Sequence, residues 1–287
     1  MFKYLIYKFG EFWVNRIPLK TAYRIGIFLS DMQFFFSFRD RRAVRNNLKN
    51  ILGPEENLTY LTREVFRNFG RYLVEFFRMA RDLNEDYIRE NVTIENIDVV
   101  KKALQLKKGV VMVTGHLGNW ELGGVVMAKL GYPPVAIALP HKERPVNDLF
   151  NMQREHHGIT VIPTNHAIRR CLEALKENRI VALLADRDFT LNGEKLPWLN
   201  KQAMIPKGAA IFSEKTGAPI VPIFFIWQGE GKFKLTFESA IFPSQERSEN
   251  VPEEKLINLM KQYASVIEEK IRQYPAQWLM YREFWVN

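Results

Sequence analysis

His116 and Glu121 stand five residues apart in the run Gly115-His116-Leu117-Gly118-Asn119-Trp120-Glu121, directly after the apolar stretch of residues 109–114. Five steps of a helix leave two side chains about 140° apart, so the pair does not share one helical face. The spacing becomes useful if His116 lies in a turn and a helix starts near Asn119, a good capping residue. Glu121 then falls in the first turn, where its charge suits the positive end of the helix dipole, and it can accept a proton bond from the imidazole. Gly115 and Gly118 allow unusual backbone angles and close approach of a substrate. A histidine braced by a carboxylate is a general base, able near neutral pH to take the proton of a hydroxyl as that oxygen attacks a carbonyl. Such a pair has no nucleophile of its own, so the hydroxyl must arrive with the substrate. Backbone N–H groups at the helix start, or a nearby arginine, would meet the developing oxyanion.

Other chemistries find less support. A metal centre would have to be built from His116, Glu121 and His141, or from His156 and His157. The chain has no His-Glu-X-X-His helix or Cys/His cluster, and neighbours in a helix such as His156 and His157 point to different sides. His141, His156, His157 and His166 read as loop or surface residues. Ser213, Ser239 and Ser265 lack the Gly-X-Ser-X-Gly setting of a serine hydrolase. No metal and no cofactor is expected.

The elements that must position the junction are short and alternate. Apolar β-runs are expected over 92–94, 110–114, 135–139, 160–162, 180–185, 220–225 and 232–237, with helices over 100–105, 121–130, 146–157, 167–176 and 207–216 between them. A last helix covers 253–273. This alternation specifies an α/β fold, a central mixed, mostly parallel sheet flanked by helices on both faces. Ahead of it, Pro18 breaks a first amphipathic stretch, and helices are expected over 21–38, 41–52 and 60–81, with Gly53-Pro54 closing the one over 41–52. No repeat, low-complexity tract or linker divides residues 1–287, which read as a single domain. Cys171, the one cysteine, reads as a small core residue.

Charge is concentrated at one end. Residues 1–50 carry ten Lys and Arg against three acids, a net +7 of the chain's +9, and twelve aromatic side chains. Nucleic-acid modules surround a few stacking rings with Arg, Gly and polar residues. Here Phe, Leu and Ile fill the spaces between charges, the composition of helices lying in a membrane interface, so no nucleic acid is expected. Each cation near an anionic leaflet adds about 1 kcal/mol and rings settle at the headgroups. The same helices can also pack on the protein's own core, and the Phe34, Phe35, Phe36 triplet reads as core packing. No stretch reaches the ~18 uncharged apolar residues of a spanning helix, since residues 22–38 contain Arg24 and Asp31. Lys8 and Glu11 interrupt the first apolar run and no cleavage site follows, so a cleaved signal is not expected. The chain is expected at the cytoplasmic face of the membrane, peripheral or monotopic.

Gly115 through Glu121 also resembles the His-X4-acid motif of glycerolipid-type acyltransferases, in the form used by the bacterial late lipid A acyltransferase family. Arg45-Asn46-Asn47-Leu48 resembles that family's asparagine-containing basic helix, and Arg154 with Gly158 its arginine-and-glycine segment. Ala185-Asp186-Arg187-Asp188 resembles its Asp-His-Asp block with arginine for histidine. Residues 206–222 match the helix and strand that follow. The resemblance implies transfer of an acyl chain from an acyl-carrier-protein or coenzyme A thioester to a hydroxyl of a membrane glycolipid, a lipid A precursor in the first place, within lipopolysaccharide biosynthesis. It implies His116 as base and Glu121 as its partner, with Asn119 shaping the turn and Arg154 and Asp186 binding substrate or supporting the site. Residues 277–285 keep the family's glutamine, first tryptophan and last aromatic but lack its His-Arg-Arg run. That departure and Arg187 leave another sugar lipid or a phospholipid as alternative acceptors. A reading of another class is a non-enzymatic membrane-surface protein, which accounts for residues 1–50 and gives no reason for the junction.

Overall fold

The computed structural model describes residues 2–53, 57–164, 167–188, 192–244 and 251–285. Helices α1 (Phe2–Val14), α2 (Leu19–Phe36), α3 (Phe38–Leu52), α4 (Leu58–Asp82) and α5 (Glu85–Asn91) come first. Then follow β1 (Val92–Glu95), α6 (Asp98–Gln105), β2 (Val110–Thr114), α7 (Trp120–Lys129), β3 (Pro134–Ala138), α8 (Arg144–His156), β4 (Thr160–Pro163), α9 (Ala167–Lys176) and β5 (Ile180–Leu184). The chain continues through β6 (Glu194–Trp198), β7 (Lys201–Ile205), α10 (Gly208–Thr216), β8 (Ile220–Gly229), β9 (Lys232–Phe237) and α11 (Glu253–Gln273).

Seven strands form one sheet in the order β1-β9-β8-β2-β5-β3-β4, parallel at every pairing except β8 with β9. It is the mixed, mostly parallel sheet expected from the alternation of elements. β2 shows why both faces are covered. Val111 and Val113 join the layer made with α9, α10 and α11, while Val110 and Met112 join the opposite layer with α6, α7 and α8. Alternate side chains point to opposite faces, so the four successive apolar residues 110–113 need an apolar cover on each side. β6 and β7 form a separate two-stranded ribbon.

α4 joins the N-terminal helices to the sheet. Its buried stripe includes Val65, Phe66, Tyr72, Phe76, Phe77 and Met79. α2 crosses it at very close range: a Cβ on Gly70 would lie 2.6 Å from the Gly26 carbonyl oxygen and 2.2 Å from Ser30 Oγ. Glycines at such a crossing bring the two backbones together, and any larger residue must push them apart. Asp31 of α2 accepts from both Arg63 and Arg67 of α4 at 2.8–3.0 Å, and these hydrogen bonds, Arg67's foremost, hold its carboxyl below the ordinary range. Arg78 reaches the carbonyls of Val14 and Ile17, at the α1–α2 bend.

Two expectations for residues 1–50 meet here. One side of α1 and α2 does pack on the protein, and the other faces outward with Leu5, Ile6, Phe9, Phe12, Trp13, Ile25, Phe28, Leu29 and Met32 exposed. The phenylalanine triplet divides between these sides rather than entering the core together. Phe34 is buried against Phe66, while Phe35 and Phe36 are exposed, as adjacent helical positions 100° apart must be. Among the described residues, no helix is long and apolar enough to cross a membrane.

Candidate active site

The parallel register of β2 and β5 decides which groups meet. Thr114 pairs with Leu184 at the carboxyl ends of the two strands, and the Ala185 N–H continues the ladder to the Thr114 carbonyl at 2.8 Å. One step further, Gly115-His116 lies beside Asp186. Asp186 Oδ1 sits 2.8 Å from His116 Nδ1, and Oδ2 accepts the His116 backbone N–H at 2.7 Å and Trp278 Nε1 at 2.9 Å. The carboxylate is fully buried. Burial pushes its pKa up, but the His116 imidazole, the Trp278 indole and the His116 N–H together outweigh it and hold the carboxyl below its usual range. Gly115 leaves room for this carboxylate: a Cβ there would lie 3.1 Å from Asp186 Oδ2, so the carboxylate would have to give by a few tenths of an ångström.

The turn then closes into α7 as its sequence requires. Gly118 has a φ of +65°, and a Cβ there would lie 2.1 Å from the Phe225 carbonyl oxygen of β8. Asn119 is the N-cap, its Oδ1 accepting from Leu122 N at 3.0 Å and its own N–H donating to the Phe225 carbonyl at 3.0 Å. Asn119 Nδ2 donates to Glu75 Oε2 of α4 at 2.7 Å, both groups being buried. Residues 277–280 cover the other side: Gly118 N donates to the Gln277 carbonyl at 3.0 Å, and Leu279 N to the His116 carbonyl at 2.7 Å. α3 grips this segment through Asn47 Nδ2, which donates to the carbonyls of Met280 and Arg282.

Glu121 lies in the first turn of α7, as the spacing required, and is buried. Its carboxylate accepts a two-pronged pair from Arg154 of α8, Nε to Oε2 at 2.8 Å and the terminal nitrogen to Oε1. Glu121 is thus not the imidazole's partner expected from the spacing, and Asp186, expected to bind substrate or support the site, is: the carboxylate on Nδ1 is that of Asp186, and Arg154 holds Glu121. Strand order explains the difference: β5 pairs directly with β2, so Asp186 at its end enters beside His116, while Arg154 of α8 meets Glu121. Removing Arg154 therefore strands a buried charge. Arg154→Leu is expected to lower unfolding free energy by about 3–5 kcal/mol, read as a fall in the urea midpoint. The Glu121→Leu, Arg154→Leu double substitution is expected to recover most of it.

The remaining histidines are scattered. His141 and His156 are exposed as expected; His157 is instead buried, and burial pulls its pKa down to about 4. His166 lies outside the described residues. No group of three or more metal-ligating side chains occurs among the described residues. Sequence reasoning gave no role to Glu75 or to the Trp278 indole. A carboxylate on the apolar stripe of α4 was the available signal for the first, and the matched tryptophan of residues 277–285 for the second.

A histidine held on a buried carboxylate, at the carboxyl edge of a parallel sheet, places the reactive group where open α/β sheets bind their ligands. The family model described as bacterial lipid A biosynthesis acyltransferase matches residues 2–286, and the chain belongs to that family. It is accordingly an acyltransferase. Phosphatidylinositol mannoside acyltransferase of Mycolicibacterium smegmatis is 26% identical over 267 residues, covering 91% of this chain and 84% of that protein. The lipid A biosynthesis palmitoleoyltransferase of Escherichia coli strain K12 is 25% identical over 281 residues, covering 95% and 87%. The crystal structure of the 1-acyl-sn-glycerophosphate acyltransferase PlsC from Thermotoga maritima superposes loosely, at a TM-score of 0.39 and 15% identity over 86% of this chain and 97% of that one.

Proposed function

We propose that this enzyme moves a fatty acyl group from an acyl-carrier-protein or coenzyme A thioester to a hydroxyl of a membrane glycolipid, with His116 as general base. The observation that carries the reading is the Asp186–His116 pair in a chain of this family. With Nδ1–H held by Asp186, Nε2 is the nitrogen that takes the proton of the acceptor hydroxyl as its oxygen attacks the thioester carbonyl. Asp186 fixes that tautomer and stabilises the imidazolium. As the tetrahedral intermediate collapses, the C–S bond breaks and the proton passes from Nε2 to the leaving thiolate. Oxyanion donors are assigned to backbone N–H groups at the start of α7 ahead of Leu122, whose own N–H the Asn119 cap holds, since Arg154 is committed to Glu121. Glu121 and Arg154 are assigned to shaping the acceptor side of the site, with Asn119 fixing the turn. Relatives named for phosphatidylinositol mannoside and for lipid A both support a glycolipid acceptor.

The test is lipid mass spectrometry of membranes incubated with the protein, acyl donor and a hydroxylated glycolipid. Transfer adds one acyl unit to the glycolipid. Free fatty acid without an acylated lipid would replace transferase by thioester hydrolase, acylated phospholipid alone would change the acceptor, and neither product with any donor would leave only a membrane-surface protein.

The outward faces of α1 and α2 fit the cytoplasmic surface of the inner membrane, where the lipid acceptor is held. Arg39, Arg42, Arg45 and Lys49 form an exposed stripe along α3 beside Phe36 and Phe38. Burial of one large apolar side chain contributes about 2 kcal/mol. Phe9→Asp with Phe28→Asp is therefore expected to weaken partition onto anionic liposomes by more than about 100-fold. Arg39, Arg42 and Arg45 changed to Gln should remove most of its salt dependence. Flotation at two salt concentrations reads both, and partition equal to wild type would remove this face from the reading.

A further inference from the structure

Glu75 is a buried acid for which the acyl-transfer steps above have no use. It lies in the C-terminal third of α4, is 7% exposed, and both oxygens are engaged. Tyr23 Oη of α2 donates to Oε1 at 2.9 Å, and Asn119 Nδ2 of the turn after β2 donates to Oε2 at 2.7 Å. Burying an ionisable group is costly unless it is paired or hydrogen-bonded, and here hydrogen bonds come from two other elements. Burial pushes its carboxyl up to about 7, against the opposing pull of Asn119, Tyr23 and Arg71. The titratable groups facing it are Arg71 and Tyr72 on its own helix, Tyr23 on α2 and Tyr87 on α5; burial first and nearby carboxylates second push all three phenols up. Arg71 is turned over the Trp227 ring of β8, 4.6 Å from its centroid.

What a carboxylate supplies is an acceptor with no donor of its own. An asparagine amide has two ends of nearly equal shape, and only one can cap a helix. Asn119 caps α7 through Oδ1, so Nδ2 must face away from the helix, into the buried space Glu75 occupies. Were that partner apolar, a buried amide donor would be left without an acceptor. The turn between Gly115 and Asn119, His116 included, hangs between Asp186 at one end and this cap at the other.

We propose that Glu75 is a positioning residue for acyl transfer: by accepting from Asn119 it fixes the cap that sets the His116 turn, and through Tyr23 it ties that turn to the outward-facing helix α2. The proposal rests on His116 being the base. It differs from a packing role in what it expects of a reversed pair. Asn119→Asp keeps a good cap but sets two carboxylates against each other, so the pair holds one proton and transfer is lost as pH rises. Adding Glu75→Gln reverses the polarity: the introduced amide nitrogen donates to the new carboxylate, while the introduced amide carbonyl accepts from Tyr23 Oη.

The measurement is kcat and KM for the acyl donor across pH 5.5–8.5, on the full chain in liposomes, with thermal melting alongside. Glu75→Leu is expected to lower kcat by about 30-fold or more with KM little changed, since the catalytic turn and not donor binding is disturbed. Asn119→Asp should show an acid-shifted profile, and the Glu75→Gln, Asn119→Asp pair should regain kcat to within about threefold of wild type with a normal profile. Wild-type kcat in Glu75→Leu, or no recovery in a pair that melts like wild type, overturns the proposal. If the pair fails to fold, Glu75→Gln alone decides: it retains an acceptor for Asn119 and must keep kcat within about tenfold. His116→Ala in the same assay separates the two levels: undiminished transfer there fails the base assignment on which the proposal rests, whereas a large loss there with wild-type kcat in Glu75→Leu fails the Glu75 proposal alone.

Discussion

His116→Ala is expected to reduce acyl transfer by about 10²–10⁴-fold, the usual contribution of a positioned general base, with partition onto membranes and the melting temperature near those of wild type. The side chain is only partly buried and closes the turn without holding the core, so its removal leaves the fold's apolar layers intact. Loss should fall on kcat rather than on KM for the acyl donor, because the imidazole acts on the acceptor hydroxyl. Initial rates with radiolabelled acyl donor and saturating acceptor check this. A variant with undiminished kcat would remove the imidazole from the chemistry.

Asp186→Asn is expected to be nearly as damaging, on the order of 10³–10⁴-fold, although it changes no volume. The geometry dictates which way the new amide must point. Asp186 Oδ2 accepts from two N–H donors, His116 N and Trp278 Nε1, so the amide oxygen has to take that position. The amide nitrogen is then left against His116 Nδ1, which must become an acceptor, and the ring proton moves to Nε2. A histidine protonated at Nε2 cannot take a proton there. Nitrogen-15 chemical shifts of the imidazole would show the tautomer change directly, alongside the kinetic loss. A variant with the wild-type tautomer and a large loss, or the altered tautomer and no loss, would detach tautomer control from catalysis.

Much of the fold was legible because the signals were local. β2, β9, α9 and α11 were read to the residue, from apolar runs bounded by turn residues or from an amphipathic stripe closed by charge. The β6–β7 ribbon was not. Pro197 interrupts its first strand, and its turn places Leu199 at a φ of +48° where a sequence reading looks for Asn-Gly. Leu199 and Trp198 are held there by burial in the main core, a tertiary effect without a local sign. α5, seven residues long, is too short to show a period, although Asn84 caps it through the Tyr87 N–H.

At the site, the strand–turn–helix junction and the Asn119 cap were visible in sequence, and the imidazole's partner was not. Consecutive strands usually neighbour one another, but β5 lies between β2 and β3. That interposition brings Asp186 to His116 across seventy residues, while Glu121, only five away, goes to Arg154. Strand order is a long-range property, and the spacing of His116 and Glu121 carries no information about it.

The interposed β5 also governs when in folding the enzyme acquires its power. A partly folded chain in which α7 has formed but β5 has not yet zipped against β2 lacks the carboxylate that holds His116 Nδ1. On refolding, turnover is therefore expected to return with the closing of the sheet's centre, and not with the earlier formation of helix.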